Sequence, residues 1–295
     1  MRTTFAVHWH YGIATHSGWF RMMNDDRSLL RIGTTEQGDP YAVAVIADGV
    51  GGIGDGSRAS DAAMDHVRHW LDNQLPKLLK TASLRGAFIQ STKKLLHEIN
   101  VSLLEMGNHA GSQMSTTLTL LFLLNETYIL CHIGDCRVYY FHRQRLKQLT
   151  KDHSWVAEQV RKRKMTPKQA RRHPHRHVLL QCLGVQKELN IQYRSGFYSP
   201  NSLFLLCTDG LYDRMSHSKI EYFLKDNESS ELNLQQVSDL LVDKALDQRA
   251  NDNISVLLLS PLNRPLTLLQ RIRERLKRCD YLFPADWRKW YNKRS

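Results

Sequence analysis

The sequence holds no apolar run that approaches the ~18 residues of a membrane span. Its first residues, Met1-Arg2-Thr3-Thr4-Phe5, lead into no long apolar stretch, so no signal peptide is expected. Cysteine is scarce: five in 295 residues, at 131, 136, 182, 207 and 279, with no C-x-x-C pair. That odd, scattered set argues against a disulfide framework or a thiolate zinc site and predicts reduced core cysteines in a cytoplasmic protein. A nucleotide-binding glycine loop is missing too. GVGGIGDG (49–56) has glycines, but neither the spacing nor the Lys-Ser/Thr of a P-loop. No segment repeats.

Charge is present but uneven. Of the net +12, residues 155–178 carry eight Arg/Lys against one acid, and residues 262–295 carry ten against three. The rest of the chain is near neutral. A nucleic-acid-binding protein needs a broad basic face, so none is expected here; local contacts with something acidic are.

What the sequence does have is short apolar strands. Candidates are 41–47, 116–124, 127–133, 136–141, 202–207 and 253–259, with weaker ones at 5–15, 28–32 and 189–198. Asn125-Glu126 reads as a hairpin turn. Ala59, Ala62, Ala63, His66, Val67, Trp70 and Leu71 fall on one helical face, a second helix spans 84–105, and Val237, Leu240, Leu241 and Ala245 mark a third. Pro76 should end or bend the first helix. The order predicts an α+β fold, with helices packed outside an antiparallel sheet system.

Four of these strands carry an aspartate at one end. Asp48 ends AVAVIA, Asp135 follows TYILCHIG, Asp209 follows SLFLLCT, and Asp252 precedes NISVLLL. Antiparallel pairing can bring such ends to one edge, where Asp25 and Asp26 could join them. Any single Asp-Gly is ordinary turn chemistry, and Asp55 is assigned to a plain turn. As a set, like charges repel and raise one another's pKa unless cations compensate. Carboxylates without Cys or His partners select Mg²⁺ or Mn²⁺ over zinc or copper. A flexible Gly49 would let its carbonyl turn toward such an ion.

At this point ADGVGG (47–52), GDCR (134–137), CTDGLYD (207–213) and DNISVLLL (252–259) resemble the successive signatures of the metal-dependent, type-2C serine/threonine protein phosphatases. HSGWFRMMNDD (16–26), MSTTLTLL (114–121), LTKDHSWV (149–156) and HPHRHVLLQCLG (173–184) resemble further family elements, in order over roughly 5–260. The resemblance implies a β-sandwich of two antiparallel sheets flanked by helices, as a domain over 1–260 with a basic, aromatic extension over 261–295. It implies two Mn²⁺ or Mg²⁺ ions: Asp48 bridging both, the Gly49 carbonyl on one, Asp209 and Asp252 on the other. Asp26, with Asp25 behind it, would hold metal-bound waters, Asp135 with Asp209 a third and weaker ion, and Arg21 the substrate phosphate. A water activated between the cations would attack phosphorus in line, with no covalent intermediate. Phosphorylated proteins, with a cognate serine/threonine kinase as opponent, are the implied partners. The rival readings are a non-catalytic phosphatase-like partner-binding module, whose mark would be lost carboxylates, and an enzyme of the same chemistry acting on regulators of sigma factors.

Departures from the family pattern matter. Its N-E-D reads Asn24-Asp25-Asp26, one methylene shorter at position 25. Its GDSR reads GDCR, and Cys136 is expected to be a buried bystander. Some members carry a histidine after the Asp-Gly; Val50 stands here and cannot donate a proton. His173, His175 and His177, and likewise His8 and His10, alternate as a zinc site might, but the setting of the first three reads as a solvated loop. The basic stretch 161–176 falls where the family has a flap beside its active site; it would either attract acidic or multiply phosphorylated substrates or simply be solvated. Leu266, Leu269, Ile272 and Leu276 line one helical face among arginines, followed by YLFPADWRKWY. That tail suits an anionic membrane surface or an acidic partner, or a helix packed back on the body.

Overall fold

A strand with no polar face must be covered on both sides. In the computed structural model, which describes residues 9–51, 55–199, 202–228 and 232–261, that is how the run 42–47 lies. In chain order the described residues form β1 (His10–His16), β2 (Asp26–Thr34), β3 (Pro40–Val50), α1 (Asp55–Asn73), α2 (Leu75–Leu78) and α3 (Leu84–Ala110). Next come β4 (Ser115–Thr116), β5 (Leu118–Leu124), β6 (Thr127–Ile133), β7 (Arg137–His142), β8 (Arg145–Gln148), α4 (Trp155–Arg161) and α5 (Pro167–Ala170). The chain continues through β9 (Gln192–Phe197), β10 (Leu203–Cys207), α6 (Asp209–Tyr212), α7 (His217–Asn227), α8 (Leu234–Asp247) and β11 (Ile254–Ser260).

The strands make two antiparallel sheets, ordered β1-β11-β10-β7-β8 and β2-β3-β5-β6-β9, with β4 paired to β3. Strand period divides each apolar run between two cores. On β3, Ala42, Ala44 and Ile46 join Leu121, Leu130, Phe204 and Leu257 between the sheets. Val43, Val45 and Ala47 face outward, with Met64, Val67, Phe88 and Leu96 from the helices that cover them. On the other sheet Leu205, Cys207, Val256 and Leu258 pack with Leu224, Leu241 and Ala245. The result is four layers, α-β-β-α, the sandwich expected from the sequence.

Local chemistry explains the joints. Asn125 (φ 48°) and Glu126 (φ 56°) take the left-handed pair that a tight hairpin needs. Arg143 (φ 49°) and Gln144 (φ 59°) do the same between β7 and β8 without any Gly, Asn or Asp. β8 was therefore invisible in the sequence. α8 opens with a reciprocal capping box between Asn233 and Gln236, and α3 stops at Gly111 (φ 66°), which bonds back to the Gly107 carbonyl. α1 ends at Asn73, and Pro76 sits in the first turn of α2, so the chain bends there as expected.

Three expectations change. Asp55 is not a plain turn: it is the first residue of α1. The run 116–124 is broken at Thr117, whose N–H donates to the Asp48 carbonyl at 2.8 Å while its hydroxyl accepts from the Asp48 N–H at 2.9 Å. Gly49 and Gly56 serve close approach rather than flexibility. A Cβ on Gly49 would collide with the Gly56 carbonyl, so the start of α1 can lie against the end of β3 only without side chains. Cys131, Cys136, Cys182 and Cys207 are free and buried, and burial pushes Cys131 up to about 12. Cys136 is wholly inaccessible, 3.1 Å from the Thr117 hydroxyl, a bystander as read. Cys279, His8 and the tail 262–295 lie outside the described residues.

Candidate metal centre

Antiparallel register delivers the aspartates to one rim. Asp26, at the start of β2, sits opposite Asp48, near the end of β3. Asp135 lies in the turn from β6 to β7, Asp209 opens α6 just after β10, and Asp252 lies just before β11. Arg21 comes from the β1–β2 loop. Asp25, Asp48, Gly49, Asp135, Asp209, Asp252 and Arg21 all line one cavity of about 410 Å³. Asp26 lies behind it, 4% exposed, accepting a 2.8 Å bond from the Thr208 hydroxyl.

Hydrogen bonds hold the backbone around Asp48 and Gly49. The Asp48 carbonyl accepts from Thr117 N–H at 2.8 Å and from the Thr116 hydroxyl at 2.9 Å. Gly49 N–H donates to the Asp25 carbonyl at 3.2 Å. Asn253, 5% exposed, spends its whole amide on the β1–β2 loop. Its Nδ2 donates to the carbonyls of Ser17 and Met23, both at 2.9 Å, and its Oδ1 accepts from Asp25 N–H at 2.8 Å. No sequence signal marked Asn253 beyond its place beside Asp252.

The carboxylates are poorly compensated by the chain itself. Burial, then repulsion from Asp26, Asp209, Asp135 and Asp252, pushes Asp48 well above the usual carboxylate range. Asp135 is raised in the same way, against a 3.2 Å bond from the Tyr212 hydroxyl. Burial outweighs the bonds from Thr208 and Ser255 and takes Asp26 up to about 7. Asp25 is raised chiefly by burial, against Arg21 and Arg27. One oxygen of Asp25 and one of Asp26 are buried with no hydrogen-bond partner. Oxygen donors that are crowded, raised and unsatisfied fit hard divalent cations, which would supply the missing positive charge.

Two side chains at the end of the basic stretch reach the same cavity. Arg176 and His177 line it beside Leu179 and Asp209. His177 Nδ1 lies 3.3 Å from Asp209 Oδ2, and its Nε2 lies 3.8 Å from Asp213 Oδ2. The bond to Asp209 raises the imidazole pKa against the cost of burial. Among the described residues these three bring ligand atoms within 4.8 Å of one another. Residues 173–177 form turns in which Pro174, His175 and His177 are exposed, as the solvated-loop reading has it, with His177 reaching Asp209. Trp155 packs on His173 at 4.8 Å and on His175 at 5.3 Å between ring centroids, while His177 sits beside Asp209. The alternation in HPHRH singled out His177, but its partner, Asp209, is distant in sequence. The basic stretch is mostly exposed, in keeping with its solvated reading, but two of its arginines are tied to the body. Arg171 donates to the Tyr212 carbonyl at 2.8 Å and Arg161 to that of Asp152 at 3.0 Å.

Arg21 forms a fork with Asp252, Nε to Oδ1 and Nη2 to Oδ2, both at 3.1 Å. Val50 lines the cavity and offers it no proton.

Comparison with known proteins gives the same direction. The family model described as Protein phosphatase 2C matches residues 21–247. The serine/threonine phosphatase stp of Listeria monocytogenes is 29% identical over 255 residues, covering 84% of this chain and 94% of that protein. The S. agalactiae serine/threonine phosphatase structure superposes with a TM-score of 0.74 at 22% identity, covering 86% of this chain and all (100%) of that one. The catalytic domain of the serine threonine protein phosphatase PstP, solved in complex with 2 manganese ions, superposes with a TM-score of 0.69 at 22% identity, covering 88% and 100%.

Proposed function

The chain belongs to the protein phosphatase 2C family and is a serine/threonine protein phosphatase, a metal-dependent hydrolase acting on phosphoproteins; from that premise we propose how its residues share the reaction. In this reading Asp48, the Gly49 carbonyl, Asp209 and Asp252 would together hold two cations, Mn²⁺ or Mg²⁺. Asp26, and Asp25 behind it, accept hydrogen bonds from water at the edge of the set. Asp135 with Asp209 offers a third, weaker position. The bound cations would supply a water of lowered pKa at neutral pH and charge to offset the phosphoryl oxygens.

The remaining work falls to the chain. The Arg21 guanidinium already presents two parallel donors to the oxygens of Asp252. The same planar fork matches two oxygens of a phosphate, which lysine could not imitate. Asn253 fixes the loop that carries Arg21, so the fork is aimed before substrate arrives. The observation that carries the proposal is the convergence of five aspartates and Arg21 on one cavity. A non-catalytic partner-binding module would have no use for that set.

A cytoplasmic setting and a cognate serine/threonine kinase as opponent belong to the same proposal. Among the described residues no helix is long and apolar enough to cross a membrane. The tail 262–295, whose charge suits an anionic membrane surface or an acidic partner, is proposed as an attachment segment separate from the phosphatase domain. Hydrolysis of phosphoserine, phosphothreonine and phosphotyrosine peptides with Mn²⁺ and with EDTA tests the central claim. Turnover of the first two that EDTA abolishes is the expected result; turnover indifferent to EDTA would overturn it.

A further inference from the structure

The loop between β1 and β2 displays an apolar surface that the carboxylate chemistry does not use. Trp19 is 65% exposed, Phe20 72%, Met22 100% and Met23 46%. Lone exposed apolar side chains are ordinary, but contiguous ones mark an interaction surface. Slack chain does not explain them, because the loop is pinned along its length. Trp19 N–H donates to the Ala250 carbonyl at 3.2 Å, and its indole N–H to the Leu246 carbonyl at 3.1 Å. Asn24 Nδ2 donates to the Thr15 hydroxyl at 2.8 Å, and Asn253 holds Ser17 and Met23 from below. The backbone that carries the apolar groups, and the Trp19 indole, are therefore held in place before a ligand arrives.

Their place decides what they meet. Phe20 and Met22 are the covalent neighbours of Arg21, which lines the cavity. Consecutive Cα atoms are about 3.8 Å apart, and an extended peptide advances about 3.3–3.6 Å per residue. A phosphorylated residue with its phosphate at Arg21 therefore has its own chain neighbours within reach of Phe20 and Met22. Of this loop only Arg21 lines the cavity, whose own apolar lining is Val50 and Leu179; Trp19, Phe20, Met22 and Met23 lie outside that lining, where they would meet residues flanking the phosphorylated one.

We infer that Trp19, Phe20, Met22 and Met23 form a specificity-determining surface that takes apolar residues flanking the phosphoserine or phosphothreonine of a protein substrate. The inference rests on reading the cavity as the phosphatase centre. It is tested with two phosphothreonine peptides, one flanked by Leu and Phe, the other by Ser at the same positions. Full-length protein with Mn²⁺ is expected to show a kcat/KM about tenfold higher for the apolar-flanked peptide, from partial burial of two or more side chains. In F20S/M22S the ratio should fall toward one. The ratio is internal to each protein, so partial loss of folded enzyme does not disturb it. Turnover of both peptides at equal rates by the wild type would overturn this inference and leave the phosphatase reading intact. No turnover of either peptide or of p-nitrophenyl phosphate would remove the phosphatase reading itself. Equal turnover together with self-association that F20S/M22S abolishes would assign the surface to a second copy of the chain, and so also overturn the inference.

Discussion

On β3, Ala42, Ala44 and Ile46 face the second sheet with no accessible surface at all, among apolar neighbours only. Two residues beyond Ile46, the same strand puts Asp48 among Asp26, Asp135, Asp209 and Asp252, each of which raises its pKa. Interior and rim share strands and hydrogen-bond ladders, yet they contribute to stability with opposite sign. The interior gains from every buried methylene. The rim, without cations, holds carboxylates that resist ionising together. A sandwich covered by helices on both outer faces can tolerate such a rim, and the rim in turn is where chemistry is possible.

The comparison breaks most sharply at Asp48. D48N is expected to lower kcat by a thousandfold or more in the p-nitrophenyl phosphate assay with Mn²⁺, while raising the melting temperature in EDTA, because one repelling charge is gone. A melting temperature that falls in EDTA would mean that Asp48 stabilises the fold by itself. F88A should do the reverse. Phe88 is fully buried between the Trp70 and Phe122 rings, and its truncation is expected to cost about 3–5 kcal/mol in urea unfolding. Activity per folded molecule should hold.

Cations should sharpen the contrast. Mn²⁺ at a hundredfold excess over its dissociation constant should add about 2.7 kcal/mol of stability for each ion bound, and D48N should lose most of that gain. In EDTA the rim also sets a pH dependence. Asp26 lies near 7 in the folded protein, above the ordinary carboxylate value of about 4. The folded state therefore binds more protons across that window, and stability should fall as pH rises through it. Mn²⁺ should flatten or reverse this slope in a thermal melt series.

The smallest effect comes from a buried pair away from the rim. His132 is wholly buried, its Nδ1 2.7 Å from the Thr119 hydroxyl, its ring 5.0 Å from that of His153. Burial lowers His132 to about 3 and His153 to about 4. Here the unfolded state binds more protons, so stability is complete above about 6.5 and is lost as pH falls. H132N should reduce that acid-side slope by a few degrees in melting temperature between pH 6.5 and 4. An unchanged slope would remove His132 as its source.

The parts legible in the sequence were those with strong local periodicity or motif. Strand 127–133 was placed to the residue, and the helices containing Ala59–Leu71, 84–105 and Val237–Ala245 were found where apolar side chains recur on one face. β8 escaped because its turn uses Arg143 and Gln144 in place of the usual turn residues. α4 to α7 escaped because they are short or half exposed, with little period to read. In the candidate site the aspartates were visible as charges ending apolar runs. Asn253 and His177 were not, since each matters through partners far along the chain.

Composition and pattern alone determined that this chain builds sheets covered by helices, carries its charge in two local segments, and ends its strands on carboxylates, because such properties are set by side chains within a few residues of one another. Which aspartates meet, how Asn253 holds the Arg21 loop, that Gly49 and Gly56 serve close contact, and that His177 lies beside Asp209 were decided only by the tertiary structure. Antiparallel register brings together residues that lie as much as two hundred positions apart, and no local preference encodes that distance.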